Sequence, residues 1–120
     1  MKILVTGTNG QVGHSLVGIL KDHEVISVNR QQCDLTKLDQ IERLIDAHQP
    51  DLIINPAAYT MVDKAEDEVE LAYKVNADAP KLMAKKAREY HIPFIHFSTD
   101  FVFDGKKKDT YKEGDSTNPL

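Results

Sequence analysis

The 120-residue sequence is poor in the residues that mark several classes of protein. It contains one cysteine, Cys33, and no tryptophan. A single cysteine excludes an internal disulfide and fits a reducing compartment, and we expect it to be a small buried residue rather than a nucleophile. No apolar run approaches the length of a membrane span, and the chain begins with a strand pattern rather than a signal peptide. We therefore expect a cytoplasmic protein.

Further absences narrow the chemistry. The five histidines lack metal-ligand spacing, so no metal site is expected, and His96 is predicted to be a hydrogen-bonded core or edge residue of a strand. The sequence has no G-x-S-x-G motif, which argues against a serine hydrolase. A net charge of −4 argues against nucleic acid as a partner. The one basic run, Lys106-Lys107-Lys108, is typical of a solvated loop.

Short apolar runs alternate with helical patterns along the chain. The predicted strands are 2–6, 24–28, 51–55 and 93–98, and the predicted helices are 11–22, 36–48 and 66–90. Thr36 is a candidate cap for the second helix, and Pro80 should kink the third helix or break it in two, because proline lacks an N–H donor and clashes with the preceding turn. Strands separated by such helices form right-handed βαβ units. We predict an α/β fold, a Rossmann-type doubly wound parallel sheet with strand order 3-2-1-4.

The segment after the first predicted strand is the strongest functional signal. Gly7, Gly10 and Gly13 have the spacing G-x-x-G-x-x-G between a strand and a helix. The first glycine permits a sharp turn, the second leaves room for phosphates, and the third lets the helix approach the strand. The N–H groups that begin the helix would then face the pyrophosphate of a dinucleotide. The alternative is a tight turn without a ligand.

The second predicted strand is followed by Asn29 and Arg30, where an acidic residue that holds the ribose 2′-hydroxyl is usual. The planar cation of Arg30 can instead face a 2′-phosphate, which favours NADP over NAD. An exposed arginine in a turn is the alternative. Asp34 either meets the adenine or is a turn acid before the next helix.

Polar residues also follow the third and fourth predicted strands. Asn55 and Thr60 flank small residues that let the backbone approach a ligand, and they either contact it or complete the turn. Ser98, Thr99 and Asp100 can hydrogen-bond a substrate carbonyl or form a local capping turn. Ligands bind open α/β sheets beyond the carboxyl ends of the strands, so we expect the site near the switch between the first and fourth strands.

Three segments together resemble the extended short-chain dehydrogenase/reductases, and within them the dTDP-4-dehydrorhamnose reductase family. They read TGTNGQVG (6–13), NPAAYTMVDKAE (55–66) and STDFVFDG (98–105). The resemblance covers the whole chain but only the N-terminal portion of such an enzyme. It implies reduction of the C4 ketone of dTDP-4-dehydro-L-rhamnose to dTDP-L-rhamnose, for the synthesis of cell-surface polysaccharide. NADP(H) would be the cofactor, with NAD(H) possible, the partner would be a dTDP-sugar, and a homodimer is compatible with the family.

The resemblance also implies roles for particular residues. Thr99 matches the catalytic serine or threonine, and Thr99, Asp100 and Phe101 match substrate contacts, although tyrosine is common in place of Phe101. The matched cofactor positions are Gly7, Gly10, Gln11, Val12 and Gly13 at the pyrophosphate, Asn29 and Arg30 at the ribose, Asp34 and Leu35 at the adenine, and Ala58, Tyr59 and Thr60 beside the nicotinamide. Asn76 falls where many members have an active-site asparagine. The alternative for it is a cap at the Pro80 break.

One family motif has no counterpart in the sequence. The Tyr-x-x-x-Lys pair that supplies the proton is absent, since Asp115 stands four residues after Tyr111. We expect residues 1–120 to be an incomplete dinucleotide-binding domain without the later strands, the Tyr-x-x-x-Lys helix and the substrate region, and inactive alone. Two alternatives stay open: a non-catalytic NADP-binding regulatory relative, and another extended-branch sugar-nucleotide epimerase or dehydratase.

Overall fold

A computed structural model describes residues 1–119 as one parallel sheet with helices on both faces. The strands are β1 (Lys2–Val5), β2 (Glu24–Ser27), β3 (Leu52–Asn55) and β4 (Phe94–His96). The helices are α1 (Gln11–Ile19), α2 (Leu38–His48), α3 (Val62–Ala65), α4 (Val69–Tyr73) and α5 (Ala79–Glu89), with a π-helical turn at Lys74–Asp78 and a 3₁₀ turn at Asp100–Val102. The predicted Rossmann-type α/β class is confirmed. Within residues 1–119, no helix is both long enough and apolar enough to cross a membrane.

The strand order is β2-β1-β3-β4, so the predicted order 3-2-1-4 is wrong. β3 lies beside β1, with Leu52 opposite Ile3 and Ile53 opposite Leu4. The burial of the strands explains the difference. β2 begins and ends with exposed residues and suits an edge, whereas the last three residues of β3 are buried. A buried apolar strand such as β3 is favoured between two neighbouring strands. The predicted order would have placed β3 at an edge of the sheet, with a neighbour on one side only.

The reversal of direction after β2 places the helices on opposite faces of the sheet. Because crossovers between parallel strands are right-handed, a chain that turns back past its first strand must cross on the other face. The core on the α1 side contains Ile3, Val5 and Ile54, with Leu16 and Leu20 packed against them. The core on the α2 and α5 side contains Leu4, Ile53, Ile41, Ile45, Met83 and Ala87. The sheet is therefore doubly wound, as predicted.

The helix predicted over 66–90 is interrupted at residues 66–68 and then continues from Val69 to Glu89, so a break at Pro80 is wrong. The backbone just before Pro80 forms the π-helical turn instead, a local change in helix geometry directly ahead of the residue that lacks an N–H donor. Thr36 is also not the cap of α2. That helix begins at Leu38, because the N–H and hydroxyl of Thr36 both donate to the Asp34 carboxylate, over 3.0 and 2.8 Å.

The single cysteine is buried in the core between β2 and α2, as predicted. Cys33 is 3% exposed. Burial, and to a lesser extent the negative charge of Asp34, raises the pKa of the Cys33 thiol. A thiol whose pKa is raised carries little thiolate at neutral pH, and a protonated thiol is a poor nucleophile. Its part in the fold is packing.

Candidate functional site

A cleft with a volume of about 700 Å³ lies at the carboxyl ends of β1 and β3. These two neighbouring strands are followed by chain that leaves on opposite faces of the sheet, which makes their junction the switch point. Open α/β sheets bind ligands at such a point. The expected location between the first and fourth strands is wrong, because β3 occupies the position beside β1.

The structure brings all the predicted cofactor-binding residues to this one cleft. Its lining includes Gly7, Gly10, Gln11, Val12, Gly13, Asn29, Arg30, Asp34, Leu35, Ala58, Tyr59 and Thr60. Leu71 and Val75 also line it and were not predicted as site residues. Their apolar i, i+4 spacing on one helical face is a signal that could have pointed to them. Contact of these residues with a cofactor remains a prediction.

Close packing explains the glycine turn. Gly7 has φ +59°, and a Cβ there would lie 2.8 Å from the Cα of Ala57. A Cβ on Gly13 would lie only 2.3 Å from the carbonyl oxygen of Gly7. Around Gly10 the one near atom is that same carbonyl, at 3.3 Å, so the missing side chain leaves the mouth of the turn open. Gly7 and Gly13 are required by the fold, whereas Gly10 keeps space free for a ligand.

The amino terminus of α1 forms one wall of the cleft. Gly10 precedes the helix and provides no side-chain cap, and the first turn contains no acidic residue. The first N–H groups of a helix lack intrahelical partners and carry the positive end of its dipole. Since Gln11, Val12 and Gly13 line the cleft, this wall is suited to an anion such as a pyrophosphate.

The opposite wall follows β2. The Asn29 side chain accepts the N–H groups of Gln31 and Gln32, over 2.9 and 3.1 Å, and so orders the turn that carries Arg30. Arg30 is exposed at the cleft, and its guanidinium forms no salt bridge within residues 1–119. A positive charge at this wall is therefore available to a ligand.

Asp34 is a turn acid that also lines the cleft. Hydrogen bonds from the hydroxyl and N–H of Thr36 lower the pKa of the Asp34 carboxyl. The carboxylate is therefore ionised at neutral pH and fixed in position by the turn. The structure shows one of the two proposed roles, that of a turn acid, through the hydrogen bonds from Thr36. Contact of Asp34 with adenine remains a prediction.

The loop after β3 is fastened to the helices that follow it. The Asn76 side chain accepts the N–H of Tyr59 over 2.8 Å and donates to its carbonyl over 3.1 Å. The Tyr59 hydroxyl donates to the Glu68 carboxylate, and this bond raises the pKa of Tyr59. Asn76 is thus not a helix cap ahead of Pro80, because both ends of its amide bond to the loop and the backbone around it is helical. The clamp holds Ala58 to Thr60 against the cleft.

Residues at the ends of three neighbouring strands form a polar row. We use this name for Thr6, which directly follows β1, and for Asn55 and His96, the last residues of β3 and β4, which are paired in the sheet. The Thr6 hydroxyl donates to Asn55 Oδ1, and Asn55 Nδ2 lies 3.2 Å from His96 Nδ1. His96 is a hydrogen-bonded strand residue, as predicted. Asn55 is buried and does not line the cleft. Its side chain bonds to the neighbouring strands, so in this structure it neither faces a ligand nor completes the turn after β3.

The predicted substrate residues lie apart from the cleft. Thr99 precedes the 3₁₀ turn after β4, where its Oγ1 accepts the N–H of Phe101 over 3.2 Å. The Thr99 hydroxyl lies 3.3 Å from the Asp100 carboxylate, to which it donates. None of the three residues lines the cleft. The structure therefore contains the local capping turn at Thr99. Contact of these residues with a substrate stays a prediction.

The chain beyond Phe103 folds around one carboxylate. Asp104 accepts hydrogen bonds from the Asn118 side chain, the Lys106 N–H and the Tyr111 hydroxyl, and these bonds lower the pKa of Asp104. Lys107, from the basic run, pairs with Asp115 over 2.5 Å. The run is thus part of an ordered, largely exposed loop.

The sheet, its glycine turn and the cleft at the switch point define a Rossmann-type domain of the short-chain dehydrogenase/reductase class. A family model described as the RmlD substrate binding domain matches residues 1–120. The chain therefore belongs to the RmlD substrate binding domain family.

Several relatives share both sequence and structure with this chain. A dTDP-4-dehydrorhamnose reductase from Aggregatibacter actinomycetemcomitans is 43% identical over 99% of this chain and 42% of its own length. The crystal structure of one from Clostridium acetobutylicum has a TM-score of 0.94 at 41% identity, over 99% of this chain and 43% of that one. The enzyme from Bacillus anthracis, solved in complex with NADP, has a TM-score of 0.92 at 32% identity, over 98% and 43%. The chain spans about two fifths of the length of these relatives.

Gly13→Ala should destabilise the protein, because the new methyl group cannot fit beside the Gly7 carbonyl without moving the turn. Overpacking of this kind costs about 1–3 kcal/mol of the free energy of unfolding. Gly18→Ala is the matched control, since nothing lies within 4 Å of a Cβ at that exposed helical position. The control should be neutral or stabilising by about 0.5–1 kcal/mol. Urea denaturation compares the two, and equal effects would contradict the packing argument.

Proposed function

We propose that the complete protein reduces the C4 ketone of dTDP-4-dehydro-L-rhamnose to dTDP-L-rhamnose with NADP(H). The supporting observation is that the residues matching the family's cofactor positions line one cleft at the switch point. Relatives over 40% identical to this chain carry the name dTDP-4-dehydrorhamnose reductase. The substrate class, the cofactor and the activity are inferred for this chain from those two lines of support.

The cleft fits the cofactor on structural grounds. The open mouth at Gly10 and the uncapped, acid-free start of α1 suit the pyrophosphate. Arg30 would meet the 2′-phosphate, Leu35 would pack beside the adenine, and the clamped loop at Tyr59 would lie beside the nicotinamide ribose. When bound, NADPH supplies the hydride that reduces the ketone carbon.

The chain's own contribution to the reduction would come from Thr99. Its hydroxyl would donate a hydrogen bond to the ketone oxygen and stabilise the negative charge that develops there. This requires the hydroxyl to exchange its bond with Asp100 for one with the substrate. The 3₁₀ turn holds the Thr99 side chain at a fixed place, so only the hydroxyl proton has to reorient.

A proton must also reach the forming alkoxide. Tyr59 lines the cleft, but its hydroxyl already donates to Glu68 and is not free for this purpose. We propose that residues 1–120 are an incomplete dinucleotide-binding domain, and that a Tyr-x-x-x-Lys pair in the remainder of the protein donates the proton. The chain covers about two fifths of the length of its relatives, and this coverage supports the division. The segment alone would then bind cofactor without turnover.

The decisive assay follows the oxidation of NADPH by the complete protein with dTDP-4-dehydrorhamnose. We expect substrate-dependent oxidation and formation of dTDP-L-rhamnose, identified by mass spectrometry and NMR. A dTDP-sugar without a ketone is the control and should give no oxidation. Binding of NADPH without turnover would instead identify a regulatory relative. Conversion of a sugar nucleotide with no net use of NADPH would identify an epimerase or dehydratase.

Arg30→Ala should weaken the binding of NADPH much more than that of NADH. A hydrogen bond to a charged group contributes about 1.5–3 kcal/mol, which corresponds to a loss of roughly ten- to a hundredfold in affinity. Arg43→Ala removes an arginine that pairs with Asp39 on the exposed face of α2, and should leave both affinities unchanged. Fluorescence titration measures the dissociation constants. Equal losses for the two cofactors would remove Arg30 from the 2′-phosphate site.

Thr99→Ala should lower kcat of the complete protein by roughly 10²-fold, the usual cost of one hydrogen-bond donor in the transition state. The dissociation constant for NADPH should not change, because Thr99 lies outside the cleft. Thr99→Ser should recover most of the loss, and Thr110→Ala in the exposed loop is the control. An unchanged kcat in Thr99→Ala would exclude Thr99 from the reaction.

A further inference from the structure

The turn that carries Arg30 is closed by reciprocal side-chain bonds. Asn29 Oδ1 accepts the N–H groups of Gln31 and Gln32, and Gln32 Oε1 in return accepts the N–H of Asn29 over 2.9 Å. The N–H groups of Gln32 and Cys33 also donate to the Asn29 carbonyl, over 3.1 and 2.9 Å. This pattern is a capping box, which normally begins a helix, with Asn29 in the cap position and Gln32 three residues later. Here it closes one isolated turn.

Gln32 differs from the other member of the box in its relation to the cleft. Asn29 and Arg30 line the cleft, whereas Gln31 and Gln32 do not. Gln32 is exposed, so burial of its side chain contributes little to the fold. A long exposed side chain also loses rotamer freedom when it is held in one place. The bond from the Asn29 N–H is therefore the contact through which this glutamine bears on the site.

The closed turn leaves the recognition of an anion at this wall to the Arg30 side chain. The N–H groups of Asn29, Gln31 and Gln32 are used within the turn, so they are not free to meet a phosphate. The guanidinium of Arg30, which has no salt-bridge partner in the described part of the chain, is the charged donor that the turn presents.

The two anion-binding walls of the cleft are therefore built differently. The start of α1 has no side-chain cap and keeps its N–H groups free for a pyrophosphate, which NADH and NADPH both contain. The turn after β2 has its N–H groups capped and presents a cation, which suits the 2′-phosphate that only NADPH contains. The first wall suits affinity for either cofactor, and the second suits discrimination between them.

We propose that Gln32 is a positioning residue for cofactor specificity. By holding the Asn29 N–H it keeps the turn closed, and the closed turn holds the backbone of Arg30 where the guanidinium can reach a 2′-phosphate. A cation on an ordered support loses less freedom on binding than one on an open turn. Gln32 acts through Arg30, so its effect is confined to NADPH. The inference rests on the proposed function, in which Arg30 meets the 2′-phosphate.

Gln32→Ala in the complete protein should weaken the binding of NADPH roughly two- to tenfold, the scale of one hydrogen bond, and leave that of NADH unchanged. Gln31→Ala is the matched control. It removes the same type of side chain from the same turn, and within residues 1–119 that side chain accepts no hydrogen bond. The control should leave both dissociation constants unchanged. Fluorescence titrations with NADPH and NADH make the comparison, and equal weakening of the two cofactors by Gln32→Ala would overturn the proposal.

A double-mutant cycle tests whether Gln32 acts through Arg30. In that case Gln32→Ala lowers the affinity for NADPH in the wild type but has no effect in Arg30→Ala, where the group that it positions is gone. An equal loss in both backgrounds would contradict the positioning role, because the glutamine would then act on the cofactor directly or on the fold in general.

The turn itself can be examined without a cofactor. Amide hydrogen exchange at Asn29 should be faster in Gln32→Ala than in the wild type or in Gln31→Ala, because the N–H has lost its acceptor. Unchanged exchange at Asn29 would mean that Gln32 does not hold the turn closed, and the proposal would be wrong.

The outcomes separate this proposal from the one on which it rests. A complete protein that prefers NADPH but does not reduce the ketone contradicts the proposed activity and leaves the role of Gln32 to the titrations. Equal loss of both cofactors in Arg30→Ala contradicts the 2′-phosphate site and the role of Gln32 together. A selective loss of NADPH in Arg30→Ala with no loss in Gln32→Ala retains the proposed function and overturns the positioning role alone.

Discussion

The close contact among three backbone segments at the end of β1 is the constraint on which the rest of the structure depends. Gly7 lies against Ala57 from the loop after β3, and Gly13 of α1 lies against the carbonyl of Gly7. A side chain at either glycine would separate the segments by the width of a methyl group. Their contact places the start of α1 beside the ends of both central strands, so the positive end of the helix and the cleft occupy one location. The glycine turn therefore builds the cleft as well as lining it.

Much of the fold follows from the sequence because its signals are local. The strand, turn and helix at the amino terminus and the packing of Cys33 each depend on neighbours in the chain. The strand order does not follow from local signals, since it depends on which strands are stable at the edge of the sheet. Glu24 in β2 and the buried Ile53 and Ile54 in β3 carried that information. A comparison of the two strands, rather than of their connections, would have placed β3 beside β1.

The same distinction between local and tertiary signals applies to the candidate site. Residues that line the cleft in the glycine turn, or directly after a strand, could be located from the sequence, because topology alone brings the strand ends together. The Asn76 clamp on Tyr59 and the bond from Tyr59 to Glu68 could not, since they join positions whose spacing reflects no helical or strand period. Such contacts depend on how α4 and the π-helical turn fold back over the loop, which only the tertiary structure specifies.

The proposed function places cofactor binding and the substrate contact on different strands of the sheet. The cleft lies at the carboxyl ends of β1 and β3, which are hydrogen-bonded neighbours, whereas Thr99 follows β4 on the other side of β3. A reduction needs the ketone held at a fixed distance from the hydride donor, and misplacement of about 1 Å costs up to 10²-fold in rate. Under the proposed function, Thr99 therefore has to keep a fixed position relative to the cleft. The backbone pairing of β3 with β4 fixes the register of the two strands, and hydrogen bonds between side chains at the strand ends add to it. The polar row is the set of contacts in this structure that connects the cleft floor to the end of β4.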